Sequence, residues 1–312
     1  MSTDRTERAE RTGRTGWADR ADRIDRTETT ERSGWADGAG RADRTDSAGK
    51  TGRADRNDQA ERGGPAGRNG RADPVPNAID APGTSEAEWR AWPGLGALPE
   101  LAYGGWRSAV VIAAHPDDEV LGLGGLLSLL AASGVRLRLV AVTDGEASHP
   151  GIADVAALVA RRVGETGSAL AALGAGGVEI VRLGMPDTGL AGREGELAGA
   201  LGRAASGFEV CLAPWEADVH SDHEATGRAA ASAGLHPYFY PIWAWHWAEP
   251  GDARLPWERA LRIPLPPEVL DRKRAAIGCF TSQLEPRGAD LEAVLPPGIV
   301  AHFTRDHEVL FR

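Results

Sequence analysis

The 312-residue sequence has two cysteines, Cys211 and Cys279, both in apolar contexts. Two thiols cannot build a disulfide framework, so the fold has to rest on its core, in a compartment that keeps thiols reduced. Long hydrophobic runs are missing too. The most apolar stretch, 121–132, is interrupted by Gly122, Gly124 and Gly125 and is too short to span a bilayer. The opening MSTDRTERAE has no apolar segment of the kind a secretory signal carries, and a cytoplasmic location is expected. Nor is there a basic surplus. Residues 1–82 hold 16 Asp/Glu and 16 Lys/Arg, so the net charge of −10 falls entirely on 83–312, with 29 acids and 19 bases. An acidic folded region argues against a nucleic-acid partner, whose phosphates need basic patches. A small or neutral ligand is expected instead.

Large apolar side chains are scarce in residues 1–85, where Arg, Asp, Glu, Thr, Gly and Ala alternate. Degenerate repeats begin at Gly16, Gly34, Gly52 and Gly70, yet the units lack the apolar face that stacked solenoid repeats bury. Such a segment cannot offset its ordering entropy, and a disordered, mixed-charge, low-complexity tail is expected. Trp17 and Trp35 are its isolated large side chains, and Pro74, Pro76 and Pro82 mark a linker. The domain boundary is therefore set between 1–85 and 86–312.

Beyond it the pattern changes. The run 108–115 (SAVVIAAH) has the length and continuous apolarity of a strand covered on both faces. A helix over 119–133 and a strand over 136–143 follow. The next helix, 155–173, ends at Gly174, where a C-cap glycine belongs. A strand over 178–183, a helix over 194–205 and a strand over 208–213 complete the alternation. Strands alternating with helices predict a Rossmann-like, doubly wound, mostly parallel sheet with helices on both faces. In such sheets the ligand lies at the carboxyl ends of the strands.

Those ends carry the unusual residues. The first strand runs into His115-Pro116-Asp117-Asp118-Glu119, the second into Thr143-Asp144-Gly145, the third into Met185-Pro186-Asp187, and the fourth leads to Asp218-Val219-His220-Ser221-Asp222-His223. Imidazoles and carboxylates converge without a basic cluster to neutralise them. A divalent cation is the economical explanation, zinc first and ferrous iron as the alternative. His115 and Asp118 can aim at one point across a strand-to-helix turn, and His223 can complete three metal ligands, leaving open positions for water and substrate. Asp117, between two ligands, suits the general base. His220, one helical turn from His223 if a helix starts there, can stabilise an oxyanion or protonate a leaving amine. The bland alternatives are solvated loop histidines and carboxylates placed at a helix N-terminus by the dipole. They would have to hold at both strand ends together.

Gly122-Leu123-Gly124-Gly125 offers a rival reading as a dinucleotide fingerprint, but the third glycine falls on Leu127 and the carboxylates of 117–119 would repel a pyrophosphate. Close helix packing is the better use of these glycines. AHPDDE with LGLGG, TDGE at Thr143 and HSDH at His220 resemble the PIG-L/LmbE deacetylases, as do RVGE at Arg162, GMPD at Gly184 and HEVLF at His307. The resemblance covers roughly 107–312. It implies a Rossmann-like zinc hydrolase acting on N-acetylglucosaminyl groups and related amides. It also implies His115, Asp118 and His223 as ligands, Asp117 as base and His220 as oxyanion or leaving-group partner. Arg162 and Asp187 stand where relatives hold sugar hydroxyls or an attached polyol phosphate. The expected substrate is a small amino sugar or glycoconjugate. An amidase for a thiol conjugate and a non-catalytic sugar-binding protein are the alternatives. Trp243, Trp245 and Trp247 alternate, so in a strand all three would share one face.

Overall fold

The computed structural model describes residues 79, 81–288 and 291–312. The expectations for a tail over 1–78, its repeats and its two tryptophans lie outside the described residues. In chain order the elements begin with α1 (Glu86–Ala91), α2 (Pro93–Gly96), β1 (Ser108–Ala113), α3 (Asp118–Ala132) and β2 (Arg136–Ala141). They continue with α4 (Val155–Ala172), β3 (Glu179–Arg182), α5 (Glu194–Ala204), β4 (Val210–Pro214), α6 (Ser221–Ser232) and β5 (Tyr238–Tyr240). The last are α7 (Ala244–Trp247), β6 (Ala260–Pro264), α8 (Pro267–Ile277), α9 (Thr281–Leu284), α10 (Pro297–His302) and β7 (His307–Phe311).

The strands form one sheet of order β3-β2-β1-β4-β5-β7-β6, parallel throughout except that β7 runs antiparallel to both its neighbours. This is the doubly wound sheet that the alternation predicts. Every residue of β1 is buried. Ala109, Val111 and Ala113 face a core built with α3, α4 and α8, whereas Val110 and Ile112 face a second core under α5 and α6. A strand buried on both faces explains the continuous apolar run. The strand order reverses between β1 and β4, the topological switch point where open α/β sheets bind ligands.

Helix α3 packs closely, and its glycines are the reason. A Cβ on Gly122 would stand 2.4 Å from the Tyr240 ring, and one on Gly125 would stand 2.3 Å from Leu265. The carboxylate of Glu308 in β7 accepts the N–H groups of Gly125 (2.6 Å) and Leu126 (2.8 Å) and holds Lys273 Nζ at 2.6 Å. Lys273, one of two lysines in the chain, is thus a buried structural cation.

The segment with Trp243, Trp245 and Trp247 does not form the strand in which its alternating rings would share one face. It enters a short helix, α7, because the Asp218 carboxylate accepts the N–H groups of Ile242, Trp243 and Ala244 and so closes the first turn. The three rings consequently part company. Trp245 is buried edge-on against Trp89, with ring centroids 5.1 Å apart; Trp247 stacks on Trp215; Trp243 borders the central cavity.

Hydrogen bonding extends N-terminal of residue 86. His246 Nε2 meets the Ala81 carbonyl at 2.9 Å, and Thr84 bonds to the carbonyls of His246 and Ala248. Ser85 then caps α1 in a capping box with Glu88. Glu86 receives Arg305 and His302, and these hydrogen bonds outweigh the opposing effect of burial and hold its pKa down at about 2. Among the described residues no helix is long and apolar enough to cross a membrane.

Candidate metal centre

His115 follows β1, and the turn closes when Asp118 Oδ2 accepts the His115 N–H at 2.9 Å. Asp117 bridges the two with φ 120°, a conformation that side chains rarely adopt. Four described non-glycine residues have positive φ, and Asp117, Thr188 and Val219 are all at this rim. Backbone strain is concentrated where the chemistry converges.

His223, in the first turn of α6, lies under 4 Å from both. Its Nε2 is 3.3 Å from His115 Nδ1 and 3.3 Å from Asp118 Oδ1, and His115 Nδ1 is 3.7 Å from Asp118 Oδ2. Donors around a tetrahedral zinc at about 2.05 Å stand about 3.4 Å from one another, and both separations from His223 Nε2 match this, while the third edge, from His115, runs to the other oxygen of Asp118. The outward nitrogens are oriented by carboxylates, as in metal-ligating imidazoles. His223 Nδ1 meets Asp218 Oδ2 at 2.7 Å; His115 Nε2 meets Asp187 Oδ1 at 3.2 Å and Asp222 Oδ2 at 3.3 Å. Burial opposes protonation of His223, but Asp118 and Asp218 reverse the balance and raise its pKa to about 9. Burial is likewise overcome at His115, whose pKa is raised well above the usual value by Asp118, Asp187 and Asp222. A site that draws protons onto two imidazoles favours positive charge, which a divalent cation can supply in their place. Among the described residues, two donor groups could hold an ion, His115 with His220 and His223, and His115 with Asp187 and Asp222, so His115 is common to both.

Asp117 is buried, and burial raises its pKa to about 7, with Arg162 opposing and Asp118 reinforcing the shift. Arg162, also buried, donates to the Gly145 carbonyl (2.8 Å), the Pro116 carbonyl (2.6 Å) and Asp117 Oδ2 (3.3 Å). Gly145 has to be glycine, because its φ is +68° and a Cβ there would meet Arg162 Nη1 at 1.6 Å. Arg162 does not pair with Glu165. That carboxylate instead takes Arg161, Thr281 and Ser282.

His220 is the N-cap of α6, and its Nδ1 accepts the Asp222 N–H at 3.3 Å. That bond leaves the proton on Nε2. Burial, with His223 and His115 adding to it, lowers the His220 pKa to about 3. The ring is therefore a neutral N–H donor.

All seven residues selected from the sequence (His115, Asp117, Asp118, Arg162, Asp187, His220 and His223) border one cavity of about 170 Å³. Gln283 also borders it, as do Trp243 and Arg287. Sequence reasoning gave no role to Asp218 and Asp222, although both stand in the quoted strand-end motif. Asp222 accepts the N–H groups of Thr188 and Leu190, and so ties the loop after β3 to α6.

A Rossmann-like sheet with a His/Asp metal-type centre at its switch point defines the class. Residues 110–234 match the PIG-L family, described as GlcNAc-PI de-N-acetylase. A stretch of 76 residues is 38% identical to the 1D-myo-inositol 2-acetamido-2-deoxy-alpha-D-glucopyranoside deacetylase of Acidothermus cellulolyticus, covering 22% of this chain and 26% of that protein. Over 76 residues it is 40% identical to the corresponding deacetylase 2 of Catenulispora acidiphila, covering 22% and 25%. The aligned stretch thus spans about a quarter of each curated relative. Among solved structures, the N,N'-diacetylchitobiose deacetylase of Pyrococcus horikoshii is 22% identical with a TM-score of 0.46, covering 58% of this chain and 72% of that one.

Proposed function

We propose that the protein is a metal-dependent amide hydrolase that removes the N-acyl group, an acetyl in the simplest case, from an amino sugar or glycoconjugate. The observation that carries this reading is the buried, strained Asp117 carboxylate beside the His115–Asp118–His223 triangle, on the wall of an open cavity. The domain match supports the substrate class, since its family and both curated relatives are described as deacetylases of N-acetylated glucosamine derivatives.

A divalent cation on those three residues, zinc or ferrous iron, would supply Lewis-acid polarisation of the acyl oxygen and of the attacking water. Asp117 accepts the proton of that water. Its pKa of about 7 makes it a competent base near neutrality, and a bound cation draws the value lower. Arg162 fixes the carboxylate by gripping Asp117 together with the carbonyls of Pro116 and Gly145. His220 offers its Nε2–H to the oxyanion that develops as the water oxygen adds to the acyl carbon. A ring with a pKa of about 3 is a poor reservoir of protons for the amine, so Asp117 is assigned that role too. The proton taken from water passes to the sugar nitrogen as the C–N bond breaks, and free amine and carboxylate leave. Asp187 and the outer face of Arg162 are assigned to sugar hydroxyls. A cytoplasmic setting belongs to the same proposal, supported by two free thiols, one buried.

The test is release of primary amine from a panel of N-acylated sugars and thiol conjugates, with and without chelator. His223→Ala and His220→Ala are compared for metal content and kcat. Chelator-sensitive release, metal loss in the first variant and a kcat loss with metal retained in the second are expected. No amine from any substrate with the metal fully loaded would leave a binding protein.

A further inference from the structure

Arg287 lies beyond the family-matched segment, in the turn after α9, and borders the same cavity. Its Nε donates to the Glu292 carbonyl at 2.8 Å and its Nη1 to the Ser148 carbonyl at 3.1 Å. Those two bonds leave Nη2, with two N–H groups, unpartnered among the described residues, and no carboxylate there pairs with the guanidinium. The contrast with its neighbours is instructive. Arg161 is occupied by Glu165, Glu285 and Thr281, and Arg162 by Asp117 and two carbonyls. A half-buried cation with a free edge on a cavity wall, in a domain that carries the whole negative charge of the chain, is suited to an anion. Nearby His149 feels the same field: burial lowers its pKa, and Arg162 and Arg287 lower it further.

We propose that Arg287 is a specificity-determining residue, and that it receives an oxyanion, a carboxylate or a phosphate ester, on the part of the substrate remote from the scissile amide. A guanidinium held by two carbonyls is pre-oriented, so its free fork binds a planar or tetrahedral oxyanion at little further cost in entropy. The cavity is then bipolar, with the metal-type centre at the amide and a cation at the far group. This rests on the hydrolase reading above for its catalytic test and on geometry alone for its binding test.

The experiment uses the full chain at matched zinc content and three N-acetylglucosaminides that differ only at the end of the aglycone: a neutral alcohol, a carboxylate and a phosphate monoester. The readout is the ratio of kcat/KM on each charged compound to that on the neutral one. The wild type is expected to favour a charged compound by about tenfold or more, the scale of one charge-assisted hydrogen bond. Arg287→Gln should bring the ratio close to one and Arg287→Lys should restore part of it, whereas lost anchoring of Ser148 would lower all three compounds together. The carboxylate and phosphate arms identify which oxyanion is preferred. A wild-type ratio near one, or a ratio unchanged in Arg287→Gln, overturns the proposal while the hydrolase reading stands. If the wild type hydrolyses none of the three, the hydrolase reading fails and calorimetric titration with the same compounds decides for Arg287. Tighter binding of a charged compound, lost in Arg287→Gln, supports the proposal, and equal binding of all three overturns it.

Discussion

Helix α3 meets buried charge at two places, and the two are built on opposite principles. At its middle, Glu308 is closed on all sides by Lys273 and the N–H groups of Gly125 and Leu126. At its N-terminus, polar groups are left short. Glu119 Oε1 and Arg162 Nε are buried without a hydrogen-bond partner among the described residues, Asp117 sits at φ 120°, and burial raises the Glu119 pKa to about 8. Satisfied buried charge rigidifies, whereas frustrated buried charge is tolerated where a reaction needs it. The middle of α3 anchors; its end is strained for use.

The sharpest way to break this comparison is Asp117→Asn. The amide is nearly isosteric, and asparagine tolerates positive φ better than most residues. If the end of α3 is strained for chemistry, the variant keeps its metal, loses about 10²- to 10⁴-fold in kcat, and melts close to the wild type, because the relief of neutralising a buried carboxylate is set against the lost pairing with the buried Arg162. Metal analysis, steady-state kinetics and calorimetry on one preparation check it. A lower melting point with kcat intact would reverse the assignment.

Glu308→Ala attacks the other place and has the opposite signature. Removing one partner of a buried pair typically costs about 3–5 kcal/mol, because the remaining charge has no solvent to return to. Chemical denaturation should show a loss of that size, while kcat well below the melting transition changes little. The double variant Lys273→Met/Glu308→Gln should recover part of the loss, since no orphaned charge remains. A fall in kcat of more than about tenfold without loss of stability would place the Glu308 pair in the active site and erase the distinction.

The half of the sheet that positions the site was legible in the sequence for a physical reason. The strands β1 and β4 are short apolar runs and β2 and β3 carry apolar residues between charged ones, all set between helices with 3.6-residue periodicity, and the polar residues that follow β1 and β4 fall at the switch point. All seven residues chosen there share one cavity. The other half was not legible, because its structure depends on distant partners. The tryptophans of 243–247 alternate as in a strand, yet Asp218, 25 residues before Trp243, draws them into a helix. Glu308 reads as one residue of an apolar strand until Lys273 and the middle of α3 are brought to it. Asp218 and Asp222 were visible as residues, but their work is done on imidazoles and backbone N–H groups that only the fold brings within reach.

The mildest perturbation separates the domain from what precedes it. The chain from Ala81 onward is tied to α7, and α7 is tied through Asp218 to His223. Deletion of residues 1–78 leaves all of these bonds in place. Deletion of 1–85 removes the Ala81 acceptor, both bonds of Thr84 and the Ser85 cap. Loss of a helix cap costs about 1 kcal/mol, and each half-exposed hydrogen bond contributes about 1 kcal/mol or less. In a domain of this size each kcal/mol shifts the midpoint by about 2–4 °C. The shorter deletion should therefore melt within about 2 °C of the full chain, and the longer one about 5–10 °C lower, with weaker metal retention under chelator because α7 no longer holds Asp218 as firmly. Both should retain kcat within about tenfold, roughly 1.4 kcal/mol in barrier, when metal is saturating. Calorimetry and zinc release measured side by side on the three proteins check this. Equal behaviour of the two deletions would cut the proposed connection from Ala81 to His223. A large kcat loss in the shorter one would place part of the active site within residues 1–78.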